Sequence, residues 1–162
     1  MKLESEWIFD CMPEHVWPHF FTAEMDLARP LGFRLGVPKP ISCRVLEGEA
    51  AVGNTRQCKT DQGYIDQEIL ACDDNRKLTY SMKSSTLWSN DWVGELIDTF
   101  ELVPLDSNRT RVVRTTVFDS QRPFKVLKRY ALWFALRQAH RYASKNWRRL
   151  AYKTRDERNR HA

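Results

Sequence analysis

The stretch Phe124–Tyr152, FKVLKRYALWFALRQAHRYASKNWRRLAY, holds no Gly or Pro and is rich in Ala, Leu, Lys and Arg. These are strong helix formers, so the segment predicts one unbroken helix, about 43 Å long at 1.5 Å per residue. At 100° per residue, Phe124, Leu127, Ala131, Ala135, Ala139, Tyr142, Asn146 and Leu150 share one broad stripe. Arg129, Trp133, Arg137, Arg141 and Arg148 lie mostly opposite, and His140 falls on the polar side. The stripe is expected to face the rest of the fold. Its central members Ala131, Ala135 and Ala139 stand where a filled core would place Leu, Ile or Phe. Two arrangements are open: a sheet comes in close and its aromatics fill the space, or a pocket lies between helix and sheet.

Upstream of the helix the period changes from 3.6 to two. Leu3 to Asp10 alternates, with Leu3, Ser5, Trp7 and Phe9 on one face and Glu4, Glu6 and Ile8 on the other, which predicts a strand. Pro13-Glu14-His15-Val16-Trp17 then opens a short helix with a proline suited to a first turn and an acid that complements the dipole. A second short helix is expected over Thr22–Leu27. Pro30–Pro40 is rich in breakers yet keeps Leu31, Phe33, Leu35 and Val37, so an ordered loop and candidate lid is expected there. Strands follow at Ile41–Leu46, Asn54–Thr60, Tyr64–Ala71, Leu78–Ser84, Val93–Val103 and Arg109–Phe118, separated by short polar turn signals. Connections this short force antiparallel neighbours. The fold class is therefore α+β: seven antiparallel strands, two short helices after the first strand, and a long final helix.

The 162 residues suffice for one domain with a real core, and a composition of 42% hydrophobic and 29% charged residues excludes a disordered chain. No run of 18 apolar residues occurs, so neither a membrane span nor a secretory leader is read and a cytoplasmic location is expected. Cys11, Cys43, Cys58 and Cys72 show no Cys-x-x-Cys pair, and reduced thiols are expected. No metal site or cofactor is expected; His15 and His19 are four apart, but Pro18 between them spoils a shared helical face, and both are read as surface residues. Nine basic residues against two acidic ones fall between Arg137 and Arg160 in a chain of net charge +5. Residues 1–152 are accordingly read as the domain and 153–162 as a basic C-terminal tail. The tail suits a solvated helix end or weak contact with an anionic membrane, with no specific nucleic-acid partner.

Several local strings resemble the START-like helix-grip (SRPBCC) family, which includes polyketide cyclases and dehydrases. Pro13-Glu14-His15-Val16-Trp17-Pro18 is similar to its helix opening, and Val52-Gly53-Asn54-Thr55-Arg56 to its turn into a middle strand. Arg76-Lys77-Leu78-Thr79-Tyr80 and Arg109-Thr110-Arg111-Val112 resemble its later strand starts. The resemblance covers roughly residues 3 to 152. It implies a deep apolar cavity between curved sheet and final helix that holds a lipid, polyketide-like or other hydrophobic molecule. In a minority of members the same cavity carries out cyclisation or dehydration, which is the alternative activity here.

If Val93–Val103 and Arg109–Phe118 form a hairpin turning near Asp106, Asp98 falls opposite Arg114 and Phe100 opposite Val112. Asp98 and Arg114 would share a face with Leu96 and Phe100, either as a guarded pair that orients a ligand or as an exposed cross-strand pair. The expected cavity wall is Leu96, Asp98, Phe100, Val112 and Arg114 from the sheet, with Phe124, Leu127, Ala131, Ala135, Gln138 and Tyr142 from the helix. Of Gln67 and Glu68, one points inward. Trp88 and Trp92 flank a tight turn, as the rim of a pocket entrance, a packed hairpin tip or a contact between two copies of the chain.

Overall fold

The computed structural model describes residues 1–161. Strand β1 (Lys2–Phe9) buries Leu3 and Phe9 and leaves Ile8 in solvent, as its period-two pattern requires. Helix α1 (Pro13–Val16) passes into a 3₁₀ turn over Trp17–Phe20, whose second residue is Pro18. The helix expected over Thr22–Leu27 is absent. Strand β2 (Ala23–Glu24) stands there instead, paired with β3 (Pro40–Val45), with Ala23 opposite Cys43. A six-residue helix is marginal by itself, and the backbone donors find better partners across the fold: Met25 N–H donates to Ile41 O at 2.8 Å and Asp26 N–H to Asn146 Oδ1 at 2.8 Å. The helical turn forms later, as α2 (Leu31–Arg34) inside the proline-rich loop. Phe33 from α2 is buried edge-on against Tyr142, with ring centroids 5.1 Å apart.

The remaining strands are β4 (Thr55–Thr60), β5 (Gly63–Asp73), β6 (Lys77–Ser85), β7 (Val93–Asp106) and β8 (Arg109–Ser120). All neighbours are antiparallel, in the order β1-β8-β7-β6-β5-β4-β3-β2, so the sheet has eight strands and β2 is the one beyond the expected seven. Between β7 and β8 the observed pairs are Asp98 with Thr116 and Phe100 with Arg114. The expected pairing is two residues out, because the hairpin turns at Ser107–Asn108, between Asp106 and Arg109, and not at Asp106. A slip of two keeps every side chain on its face.

Helix α3 (Lys125–His161) is longer than expected and runs without a break through residues 153–161, so the segment read as a tail is the end of the helix. Ala162 lies outside the described residues. Three arginines in the C-terminal half of α3, one of them in that segment, are spent on the protein's own backbone: Arg148 Nη2 donates to Ile8 O at 3.1 Å, Arg149 Nη2 to Glu24 O at 2.9 Å and Arg155 Nη1 to Asp10 O at 2.8 Å. The other end of α3 is held to β8 by Asp119, which pairs with Lys125 at 2.6 Å and Arg129 at 2.7 Å. Among the described residues no helix is long and apolar enough to cross a membrane.

The buried face of α3 is turned from the expected stripe toward His140, Ala143, Trp147 and Ala151, which are buried, while Phe124 and Leu127 stand in solvent. Phe20, Phe100 and Trp147 meet with ring centroids 4.8 to 5.4 Å apart and form the centre of the core. His15 is buried on α1, and His19 Nε2 lies 3.0 Å from Thr154 Oγ1, so neither is the free surface residue expected. Cys43 and Cys58 sit opposite each other on β3 and β4 and form a disulfide, which corrects the reading of four reduced thiols. Cross-strand register brings them together, and a separation of 15 residues hides this in the sequence. Disulfides persist in oxidising surroundings, so this bond and the cytoplasmic expectation point in different directions.

Phe20→Ala removes the ring on which Trp17, Phe100 and Trp147 converge and should cost about 3–5 kcal/mol of stability. Denaturant unfolding followed by tryptophan fluorescence measures it.

Candidate functional site

Between the concave face of the sheet and α3 lie three adjoining spaces. The outermost has about 230 Å³ and is walled by Leu35, Trp88, Trp92, Ala131 and Phe134. The middle one, about 120 Å³, is bounded by Leu87, Leu96, Leu132 and Leu136. The innermost, about 130 Å³, reaches Arg56, Gln67, Asp98, Phe100, Arg114 and Trp147. Val37, Pro38, Leu132 and Ala135 border both mouth and throat, and Ile65, Met82, Leu96, Leu136 and Ala139 border both throat and inner chamber. Ala131 borders the mouth, Ala135 the mouth and throat, and Ala139 the throat and inner chamber, where larger side chains would fill the gap between helix and sheet. Trp88 and Trp92 stack edge to face at the mouth with centroids 5.0 Å apart.

Of the eleven residues expected in the wall, Leu96, Asp98, Phe100, Arg114, Ala131 and Ala135 border the channel. The other five stand elsewhere. Val112 is fully buried in the core, and Phe124 and Leu127 are 74% and 70% exposed because the first turns of α3 project beyond the sheet. Gln138 covers Gly32 in α2, where a Cβ would come within 2.6 Å of its Cγ. Tyr142 turns toward Asp26, its hydroxyl 2.7 Å from the carbonyl oxygen and 2.9 Å from Oδ1. Burial and the adjacent Asp26 push that phenol well up, so it is no acid or base at neutral pH.

The inner chamber is polar at one end. Arg114 grips Asp98 with two parallel hydrogen bonds, Nε to Oδ1 at 3.1 Å and Nη2 to Oδ2 at 2.7 Å, the carboxylate side chain being 3% and the guanidinium 11% exposed. Thr116 also donates to Asp98 Oδ1, and its hydroxyl lies 2.8 Å from His140 Nε2. Ser5 Oγ, 2.9 Å from His140 Nδ1, completes the chain. His140 therefore points into the sheet and not to the polar side where its sequence position placed it. Burial, with the positive charge of Arg114, pushes its pKa down to about 3, so the imidazole is neutral. Burial alone would raise Asp98, but the charge and hydrogen bonds of Arg114 hold its carboxyl below the ordinary value.

Arg56, Gln67, Met82, Leu136 and Trp147 also line the chamber and were missed as site residues. Gln67 is the inward member of its pair, buried where it accepts a 2.5 Å hydrogen bond from Arg56 Nη1. Trp147 could have been found by continuing the spacing of Leu136, His140 and Ala143 along the helix. Arg56 carried no such signal, since a lone arginine in a polar strand reads as exposed. Among the described residues no group of three metal-ligating side chains gathers.

No family model matches the chain, and comparison with curated proteins finds no match. Solved structures do match. The chain superimposes on the Zhui aromatase/cyclase of Streptomyces sp. R1128 with a TM-score of 0.65, at 16% identity over 96% of this chain and 93% of that one. The fold is the START-like helix grip. A norcoclaurine synthase of Thalictrum flavum gives 0.63 at 15% identity over 96% of both chains, and a START superfamily protein of Mycobacterium smegmatis gives 0.63 at 10% identity over 94% and 97%. At such identities the START-like likeness concerns architecture, and chemistry has to be argued from the chamber itself.

Asp98→Ala leaves the buried Arg114 guanidinium without its carboxylate and should destabilise the protein by about 3–5 kcal/mol, whereas replacing Asp98 and Arg114 together by Leu and Met should recover most of the loss. Unfolding curves of the single and double variants compare them. His140 has a depressed folded pKa, so its contribution is complete above 6.5 and is lost as pH falls toward about 3. Stability of the native protein should fall between those values, and His140→Gln, which cannot titrate, should lessen the slope in a series of melting curves.

Proposed function

We propose that the chain binds a hydrophobic small molecule in the channel between sheet and α3, as a carrier or sensor. The observation that carries this reading is the row of adjoining apolar spaces leading from the Trp88–Trp92 rim to a polar inner end. A cavity of about 150 Å³ already admits benzene when its walls are apolar, and ligand sites combine apolar walls with a few convergent polar groups. The channel has both, and its length suits an elongated guest. The superimposed proteins, an aromatase/cyclase and a synthase among them, support a small-molecule site in this architecture.

Binding without turnover fits the inner chamber better than cyclisation or dehydration does. A cyclase or dehydratase of the acid–base kind needs a group free to take a proton from the guest and return it. Asp98 has both oxygens committed to Arg114 and Thr116, His140 is enclosed by Ser5 and Thr116, and Tyr142 faces Asp26 outside the channel. Apolar burial at about 25 cal/mol per Å² then supplies most of the binding energy.

Ala139 borders both throat and chamber, so Ala139→Trp should block the channel while leaving the fold in place. N-phenyl-1-naphthylamine, a neutral dye that brightens in apolar surroundings, should bind the native protein and lose at least about tenfold in affinity in the variant, which is about 1.4 kcal/mol. Equal dye binding by both proteins, with unchanged circular dichroism, refutes a guest in this channel. Native mass spectrometry of the freshly purified protein tests the same reading through any apolar compound that stays bound.

A further inference from the structure

The chamber contains more hydrogen-bond donors and more positive charge than the protein itself satisfies. Arg56 is 5% exposed, and its guanidinium carbon stands 4.9 Å over the Tyr80 ring. Its Nη1 donates to Gln67, but its Nε–H has no acceptor in the protein. Trp147, 2% exposed and on the facing wall, likewise has an Nε1–H with no acceptor. A buried donor left unpaired is costly, and a buried charge without a counterion costs more. The charged residues bordering the chamber are Arg56, Arg114 and Asp98, and the single carboxylate is already gripped by Arg114. One positive charge is left over at the inner end of an apolar channel.

We propose that the guest is an amphipathic anion, an apolar body with a carboxylate or similar compact oxyanion head, seated head-first so that the head accepts hydrogen bonds from Arg56 and Trp147. The inference rests on the binding function proposed above and adds the chemical class and direction of the ligand. Both unsatisfied groups are donors only, so a neutral donor such as an alcohol's O–H gives them less than an oxyanion does. The throat, bounded by Leu96, Leu132 and Leu136, offers the body of such a guest apolar contact and no counter-charge. Arg56 is thereby a positioning and selectivity residue for the head. Asp98 engages Arg114 and so keeps it from competing for the head.

Decanoic acid and 1-decanol, which share one chain and differ in the head, separate the possibilities by titration calorimetry at neutral pH. The native protein should bind the acid at least about tenfold more tightly than the alcohol, the value expected for a hydrogen bond to a charged partner. Arg56→Met keeps the volume, should abolish that preference with alcohol binding retained, and should melt no lower than the native protein, because it removes an uncompensated buried charge. Trp147→Phe should weaken the acid selectively and keeps the test open if the arginine variant does not fold. Equal affinity for the two probes in the native protein, or an acid preference that survives Arg56→Met, overturns the anionic head while leaving the channel reading intact. Failure of both probes, together with failure of the neutral dye, overturns the channel reading and this inference with it.

Discussion

The buried pair of Asp98 and Arg114 is the constraint around which the interior is arranged. Charges removed from water are tolerated only when paired and hydrogen-bonded, and the pair is accordingly enclosed on several sides. Thr116 beside it on β8, His140 on α3 and Ser5 on β1 form one continuous chain of contacts ending at the carboxylate. This chain connects the edge strand β1, the β7–β8 hairpin beside it and the long helix, so it fixes how far α3 can rotate over the sheet. The neutral state of His140 follows from the same enclosure. A charged imidazole in that position would add a second cation beside Arg114.

With α3 fixed in rotation, the small side chains on it become consequential. Ala135 and Ala139 lie over the concave sheet, where a helix studded with Leu would fill the space, and the channel is what remains. The hollow has limits on both sides. Below it, Phe20, Phe100 and Trp147 close the chamber floor with tightly packed rings, and these supply the cohesion that the hollow part gives up. Above it, the ion pairs of Asp119 hold the first turn of α3 against β8 and so keep the mouth in place. The loop carrying α2 adds the remaining wall through Val37 and Pro38.

The START-like architecture is shared with an aromatase/cyclase and a norcoclaurine synthase, so it restricts the answer without supplying it. In this chain the inner end holds two guanidiniums, one carboxylate and an indole N–H among largely apolar walls. A purely apolar guest would leave that end unsatisfied. The disulfide between Cys43 and Cys58 borders the same chamber and braces the two strands that carry its far wall, with Arg56 two residues from Cys58.

Local periodicity determined a great deal. The alternation in β1, the short turns between later strands and the breaker-free final stretch were enough for the α+β order, the antiparallel sheet and the long helix, because each follows from backbone geometry over a few neighbouring residues. The face shared by Leu96, Asp98 and Phe100 with Arg114 was also legible, since a period of two survives the slip of two residues in pairing. Everything that depended on distant partners had to come from the tertiary structure. Strand β2 exists only because β3 lies beside it, the disulfide only because β3 and β4 align Cys43 with Cys58, and the inward turn of His140 only because polar partners wait in the sheet. Arg56 is the clearest case: an arginine among polar neighbours looks solvent-exposed in one dimension, and its burial comes from a sheet that curls over it and a tyrosine ring that receives its charge. Side-chain environment is a property of packing, and packing joins residues that the sequence keeps far apart.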